Sequence, residues 1–358
     1  MKVALLSDCY PPRLGGIETQ VHGLARALVA AGHAVEVFTI TPGPADGPIP
    51  VHRLGLRREL PGGLLINPAA RYSLRKTLQR SDFDVAHAQL GVVSPFAMDG
   101  VGVALDAGLP VAATWHSVTG HSEPLVRALG YAARWARRGA ALSAVSAVAA
   151  APLERVTGSP VAIVPNGIDT SFWSAGERPQ RSGPVHVVSA MRLAARKRPA
   201  QLVDAVRRAR ETSGTDIRLT VAGDGPLWRR LRGRGGGWLT LPGRLSPEAL
   251  RDLYCHADVY AAPAVLEAFG IAAAEARCAG LPVLTRAESA VRELVEDGAT
   301  GLVVADDAGF AAAVARIATD PALRERLSAG SRQTPVGFGW PDVVQGVLSE
   351  YRRAASGG

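Results

Sequence analysis

Three cysteines in 358 residues, Cys9, Cys255 and Cys278, are too few and too far apart for a disulfide framework. None stands in a CxxC pair, and no His, Asp and Glu cluster shows ligand spacing, so no metal site is expected. Aromatic residues make up only 5% of the chain and are not interleaved with the arginines as in a nucleic-acid module, so no nucleic-acid partner is expected. No run approaches the ~18 apolar residues of a membrane span. The apolar run at 3–6 gives way at once to Ser7 and Asp8, too short for the core of a secretory leader. Acidic residues are also outnumbered, 32 against 40 Lys and Arg, leaving a net charge of +8. The expectation is a cytoplasmic protein, with peripheral contact at the inner face of a membrane left open. The charge favours anionic partners such as phosphates, or reflects no more than scattered arginines.

What is present is an alternation of short apolar runs and helical patterns. Residues 2–7 read as a buried strand, a Pro/Gly loop follows, and Val21, Leu24, Ala25 and Leu28 recur at helical spacing up to Gly32. With a strand at 34–40 this completes the β–loop–α–β unit of a parallel sheet. Further strands are expected at 85–88, 110–114, 140–146 and 162–164. A polar, breaker-rich stretch at 173–179 interrupts the pattern. A second series follows, with strands at 185–190, 218–222, 238–241, 259–261 and 283–285 and helices at 200–212, 227–231, 247–256 and 269–279. The fold class is therefore α/β, with two Rossmann-like, doubly wound parallel-sheet domains and ligands expected in the cleft between them. The boundaries read as 1–170, a linker at 171–183, 184–337, and a last segment at 338–358. In that segment Val343, Val344, Val347, Leu348 and Tyr351 recur at helical spacing.

Four groups of residues carry possible chemistry. Gly15 and Gly16 lie between the first strand and first helix, as a plain turn or as a place where backbone N–H groups approach an anion. The stretch is not GxGxxG, so it gives no nicotinamide fingerprint. Arg192 and Lys197 follow the strand at 185–190, either as phosphate ligands at a strand's carboxyl end or as a solvated basic face. Gly223, Asp224 and Gly225 make a tight turn after the next strand, which a nucleotide can approach. Glu267 and Glu275 stand eight residues apart with only apolar residues between them. On one helix that is ~12 Å of rise and ~80° of rotation. Such a pair suits two ends of one ligand better than one acid/base pair. In addition, Arg71, Arg75, Lys76 and Arg80 fall on one helical face after the apolar 62–66 stretch, as a lipid-contacting or a merely solvated basic patch.

Read together, these segments resemble glycosyltransferase family four, retaining enzymes of GT-B fold, with a layout similar to the phosphatidylinositol mannosyltransferases. The family's E-x7-E motif matches Glu267 and Glu275, its Arg…Lys pair Arg192 and Lys197, and its first-domain GG loop Gly15 and Gly16. Residues 164–169, 222–227 and 279–283 match three further stretches in the family's order.

The resemblance implies a hexosyltransferase. It would move a hexose or amino-hexose from a UDP- or GDP-linked sugar to a lipid-linked or small polyol acceptor by front-face transfer, with no cofactor or metal. It implies that Arg192 and Lys197 bind the donor pyrophosphate and Glu275 the ribose. Glu267 would contact the transferred sugar. N–H groups near Phe269 and Gly270 would meet phosphate or sugar oxygens, and His116 would lie beside the reacting sugar. The chain departs from the pattern at Met191, where many members have Gly, at 286–290, where a second Gly pair is common, and at Gln89, in place of the second His of a frequent His-x-His. A sugar-nucleotide epimerase of similar fold and a non-catalytic nucleotide-binding protein are the alternatives.

Overall fold

The computed structural model describes residues 1–13, 15–44, 47–55, 67–118, 123–174 and 183–357. The chain forms two compact units, Met1–Gly167 with Phe338–Gly358, and Ile168–Gly337.

The first unit runs β1 (Lys2–Ser7), α1 (Gly16–Ala30), β2 (Ala34–Thr39), β3 (Val51–Arg53), α2 (Pro68–Arg80), β4 (Val85–Leu90), α3 (Pro95–Asp106), β5 (Val111–Trp115), α4 (Glu123–Leu129), α5 (Tyr131–Arg137), β6 (Ala141–Ala144), α6 (Ala147–Thr157) and β7 (Ala162–Ile163). Its strands form one parallel sheet in the order β3-β2-β1-β4-β5-β6-β7. β4 is buried along its whole length and β1 from Val3 onward, as expected for central strands covered on both faces. α1 buries Val21, Leu24, Ala25 and Leu28, the i, i+3, i+4, i+7 stripe of a helix packed on a sheet. α6 starts where the Ser146 side chain accepts the N–H of Ala149 and stops at Gly158, which is left-handed.

The second unit runs α7 (Thr170–Ser174), β8 (Val185–Ala190), α8 (Pro199–Ser213), β9 (Ile217–Ala222), α9 (Trp228–Arg232), β10 (Leu239–Gly243), α10 (Pro247–Cys255), β11 (Val259–Ala262), α11 (Ile271–Cys278), β12 (Val283–Arg286), β13 (Gly301–Val304), α12 (Asp307–Thr319) and α13 (Pro321–Gln333). Its parallel sheet has the order β10-β9-β8-β11-β12-β13. Val187, Leu219 and Val221 pack with Leu202 and Val206 of α8 and with Phe310, Val314 and Ile317 of α12. Residues 171–174, expected as the start of the linker, instead form α7, whose Trp173 is buried beside Tyr254. An aromatic contact of that kind is worth about 1 kcal/mol beyond its area and favours order over a tether. The remainder of that linker, 175–182, lies outside the described residues.

α14 (Trp340–Ser356) returns to the first unit. It buries Val343, Val344, Val347 and Tyr351 in the same core as Val3, Val21, Leu24 and Leu28, with Leu348 partly buried beside them. At roughly 1.5–3 kcal/mol per buried aliphatic side chain, this helix is a wall of that core. Its first residue, Trp340, has a slot made by two glycines. A Cβ on Gly23 would lie 2.2 Å from the indole Cζ2, and one on Gly167 2.2 Å from Cε3. Gly23 sits inside α1, where alanine is favoured by about 1 kcal/mol on propensity alone. Overpacking against a rigid ring costs about 1–3 kcal/mol, so the steric effect should win. Gly23→Ala is therefore expected to lower the melting temperature, and Trp340→Leu in the same chain to recover part of the loss. A Gly23→Ala protein that melts higher than wild type would show that the indole does not occupy the slot.

Candidate active site

In the second unit the strand order reverses at β8. β9 and β10 lie on one side of it, β11 to β13 on the other. Loops leaving β8 and β11 at their carboxyl ends then diverge, and ligands of doubly wound sheets bind in that crevice. Residues 191–197 leave β8, and 263–270 leave β11.

The exit from β8 is held by a backbone ladder to the exit from β9. Met191 N–H donates to Ala222 O at 3.0 Å, Leu193 N–H to Asp224 O at 2.7 Å, and Leu227 N–H to Leu193 O at 3.0 Å. Only glycine fits such contact: a Cβ on Gly223 would stand 2.0 Å from Met191 O, and Gly223 has φ 125°. Gly225 is equally crowded by Leu193 O, at 2.6 Å. Met191 packs against the core of the unit. Exposed Asp224 forms a 3.1 Å ion pair with Arg244. Between the two bonded residues of the ladder, Arg192 is exposed. Its guanidinium makes no ion pair or hydrogen bond among the described residues.

Lys197 ends a 3-10 turn at Ala195–Lys197, and its Nζ forms an ion pair with the Glu267 carboxylate. Both side chains are about one-fifth exposed. The two loops at the reversal are thus joined by charges from the two motifs singled out in the sequence.

One expectation fails here. The eight-residue spacing of Glu267 and Glu275 predicts two carboxylates on one helix, and the apolar pattern starts that helix at 269. α11 begins only at Ile271, because Gly270 is left-handed at φ 89°. A Cβ there would also meet Val291 Cγ2 at 2.4 Å. Glu267 and buried Phe269 therefore lie in the loop ahead of the helix, and helical rise does not set the distance between the carboxylates. Gly270 gives α11 an N-terminus without a side-chain cap. The departure at 286–290 is tied to the same loop, since Ala290 N–H donates to Glu267 O at 3.3 Å. Arg286 there is buried and paired with Asp307 and Glu288. Nothing in the sequence signals that pairing.

Glu275 lies in α11 and behaves differently from Glu267. Its carboxyl makes no hydrogen bond or ion pair among the described residues. Desolvation pushes its pKa up to about 8. Tyr254 and Tyr260 are close enough to feel its charge, and their hydroxyls already donate to Ala272 O and Ala190 O. A carboxyl left desolvated without a donor is costly in a structural role, and perturbed groups of this kind mark functional sites.

In the first unit the reversal falls between β1 and β4. Asp8, at the end of β1, accepts the N–H groups of Phe96 and Ala97 at 3.1 and 2.9 Å. It thereby caps α3 across the reversal, and desolvation still raises its pKa to about 6. Gly15 caps α1, and the Glu18 carboxylate, paired with Arg13 at 3.1 Å, stands over it. The first turn of α1 therefore already carries an anion next to Gly15 and Gly16.

His116 follows β5. Its Nε2 is 2.6 Å from the amide oxygen of Gln89 and its Nδ1 2.9 Å from that of Asn166. Desolvation lowers its pKa to about 4, so the ring is neutral at physiological pH. Gln89 and Asn166 were not foreseen as its partners. In the sequence Gln89 stands out only as a departure from His-x-His, and Asn166 only as a member of the 164–169 stretch.

On α2, Ala70, Leu74 and Leu78 face inward while Arg71, Arg75, Lys76 and Arg80 are exposed. Arg71 is paired with Asp99 of α3 at 2.9 Å. The other three have no partner among the described residues. The apolar stretch 62–66 lies outside those residues. Among the described residues no helix is long and apolar enough to cross a membrane.

Comparison with known proteins agrees with this arrangement. Residues 14–172 match the family model described as Glycosyltransferase Family 4, and residues 175–334 match Glycosyl transferases group 1. The phosphatidyl-myo-inositol mannosyltransferase of Mycobacterium leprae is 28% identical over 362 residues, 96% of this chain and 94% of that protein. The glycogen synthase of Mycobacterium tuberculosis is 28% identical over 401 residues, 100% of this chain and 96% of that protein. The crystal structure of Anabaena Alr3699/HepE in complex with UDP superposes with a TM-score of 0.74 at 18% identity, covering 98% of this chain and 99% of that one. With matched segments running from residue 14 to residue 334 and both parallel sheets in place, the chain belongs to glycosyltransferase family four and has the GT-B fold.

Proposed function

We propose that this glycosyltransferase moves a hexose or amino-hexose from a nucleotide diphosphate sugar to a lipid-linked or small polyol acceptor, with retention and without a metal. The observation that carries the reading is the reversal at β8 and β11. Arg192, unpaired among the described residues, Lys197 and the uncapped N-terminus of α11 are contributed there by adjoining loops, and this is the chemistry a diphosphate needs. The acceptor oxygen bonds to the anomeric carbon as the bond to the diphosphate oxygen breaks. The leaving diphosphate takes the acceptor's proton, so no strong protein base is required. The protein's contribution is fixed positive charge where negative charge develops. Glu267, held by Lys197, is assigned to hydroxyls of the transferred sugar, and Glu275 to the ribose. Neutral His116 is assigned to the sugar or acceptor on the first unit.

A UDP complex of the Anabaena protein and the mannosyl transfer in the name of the Mycobacterium leprae relative support a nucleotide diphosphate donor and a hexose. Phosphatidylinositol in that name and the unpaired cations of α2 support an anionic or lipid-borne polyol acceptor. Peripheral contact of α2 with the inner face of a membrane then follows from charge. A glucan-building relative supports keeping soluble acceptors in the test.

Incubating the chain with UDP- and GDP-sugars and a panel of polyol and phosphoinositide acceptors, with NMR of the new anomeric centre, tests the reading. An inverted centre would overturn retention. C2 inversion without transfer would identify an epimerase. In the same assay Arg192→Ala and Lys197→Ala should each lower turnover by about 10²–10³, the usual cost of one preorganised charge contact. Arg192→Ala should leave melting unchanged, since its side chain is exposed and has no partner among the described residues. Near-normal turnover in either variant would remove the pyrophosphate assignment.

Nucleotide binding should also depend on pH. Ribose hydroxyls donate, so they bind the ionised form of Glu275. Its pKa of about 8 leaves it mostly protonated at pH 7, and binding must then release a proton. Affinity should rise with pH, by up to about tenfold per unit, and level off above about pH 8. Glu275→Gln should flatten the slope. Calorimetry with nucleotide diphosphate in buffers of different ionisation enthalpy reads both effects. Identical slopes in wild type and variant would end the ribose assignment.

A further inference from the structure

At the reversal of the second unit, Lys197 and Glu267 form an ion pair across 70 residues of sequence, and each side chain is only about one-fifth exposed. The backbone is tied on both sides of this pair. Lys197 N–H donates to Ala194 O at 2.9 Å. The next residue, Arg198, is left-handed at φ 59°, the one non-glycine residue with positive φ among the described residues. That conformation is strained for a residue with a side chain, and an ion pair from Arg198 to Asp307 of α12 holds it. Across the pair, Glu267 O accepts the N–H of Ala290 at 3.3 Å, and left-handed Gly270 keeps Glu267 in the loop ahead of α11. A ligand that reaches the Lys197 ammonium therefore meets the Glu267 carboxylate as well.

The charges at this edge do not balance a diphosphate. Arg192 and Lys197 bring two positive charges, and Glu267 removes one. Arg198 and Arg286 add nothing, because Asp307 and Glu288 are paired with them. A sugar-linked nucleotide diphosphate carries two negative charges, one on each phosphate. A free nucleotide diphosphate carries close to three at neutral pH, since its terminal phosphate loses a second proton near pH 6.

The two ligands also differ in what they offer Glu267. The donor's sugar has hydroxyl hydrogens, and a hydrogen bond to a carboxylate is one of the strong kind. The free diphosphate has only acceptor oxygens at that end, and its added charge sits where the sugar was attached. Like charges facing each other in a site of limited solvent access repel strongly.

We propose that Glu267, through its ion pair with Lys197, makes the site select the intact sugar nucleotide over the free nucleotide diphosphate, so that departure of the sugar loosens the product. With the donor bound, sugar hydroxyls satisfy the carboxylate and the ammonium turns to the phosphates. Once the sugar has left, the carboxylate draws the ammonium back and opposes the added phosphate charge. Glu267 is thus a specificity-determining residue for donor against product. This rests on the assignment of Arg192 and Lys197 to the diphosphate and of Glu267 to the sugar.

The test is calorimetry of the full chain with UDP and GDP, and with UDP-glucose, UDP-N-acetylglucosamine and GDP-mannose, for wild type, Lys197→Ala, Glu267→Gln and Glu267→Ala. Losing one partly exposed ion pair should leave the fold intact, and melting curves check this. Both Glu267 variants should bind the free nucleotide diphosphate about tenfold tighter than wild type, equivalent to about 1.4 kcal/mol. The ratio of its Kd to that of the sugar nucleotide should fall by at least as much. Glu267→Ala guards against a glutamine N–H donating to the phosphate. A merely structural ion pair, once broken, would weaken both ligands or neither.

Unchanged or weaker binding of the free diphosphate in Glu267→Ala, while Lys197→Ala still loses affinity, overturns the selection and leaves the diphosphate assignment standing. Tighter binding in Glu267→Gln alone also overturns it. Undiminished affinity in Lys197→Ala, or no binding of UDP or GDP by wild type, removes the diphosphate assignment and the selection with it. The tightening is read on the free diphosphate, so it is judged whichever sugar the chain accepts.

Discussion

Everything chemical in this molecule depends on a topological constraint. A parallel sheet whose first strand receives neighbours on both sides must send its connecting helices to opposite faces, and the loops leaving the two strands at the reversal then part. The constraint operates twice, at β1 and β4 and again at β8 and β11. Because each strand points the same way, the parted loops emerge at one edge, and residues distant in sequence become neighbours there. Lys197 and Glu267, 70 residues apart, form an ion pair, and Asp8 caps a helix 88 residues downstream. Glycine at 223 and 225 lets the β8 exit lie against the β9 exit, and this fixes where Arg192 stands.

The two edges differ in electrostatics. At the second unit's edge Arg192 is exposed with no partner among the described residues, beside the Lys197–Glu267 ion pair and the desolvated Glu275. At the first unit's edge the groups around His116 are uncharged. His87 and His116 are held neutral by burial, their hydrogen bonds run through hydroxyls and amides, and the carboxylate of Glu18 is balanced by Arg13. On the reaction proposed above, this difference has a use. A diphosphate needs fixed cations that are strong because water is excluded. A hydroxyl nucleophile needs orientation by neutral partners. Full charge beside it would be paid for in desolvation.

How legible this was in the sequence depended on the range of the interactions. Strands at 185–190 and helices such as 247–256 were readable nearly to the residue, because apolar periodicity and caps are local signals. The helix boundary at Gly270 was not legible because the run from Phe269 to Ala274 carries no polar residue, and nothing local distinguishes a left-handed glycine before a helix from one inside it. That single error moved Glu267 from a helix to a loop. Trp173 likewise read as linker, since its contact with Tyr254 spans 81 residues. Arg192, Lys197 and Glu275 were identifiable as candidates by type and position. Their states, one unpaired, one paired and one with a raised pKa, depend on what surrounds them in space. The partners of His116 were out of reach for the same reason. They come from β4 and from beyond β7, and only strand pairing puts them beside β5.

The last helix shows how far such coupling extends. α14 is covalently the end of the chain, yet it closes the core on which β1 and β4 rest, and its Trp340 fills a slot that two glycines leave open. A helix recruited only to cover apolar surface needs no polar group on its inner face. Tyr351 is such a group, buried at 2% exposure, where a phenylalanine would fill almost the same volume without a hydroxyl to satisfy. The hydroxyl's cost is offset because it lies 2.9 Å from His87 Nδ1, and His87 in turn is a buried imidazole that an apolar residue would replace more cheaply. Two successive polar choices in a dry core, each needing the other, are hard to account for by packing alone. They make physical sense as one hydrogen-bonded series, running from His87 through Gln89 to His116, whose far end is the member that meets solvent.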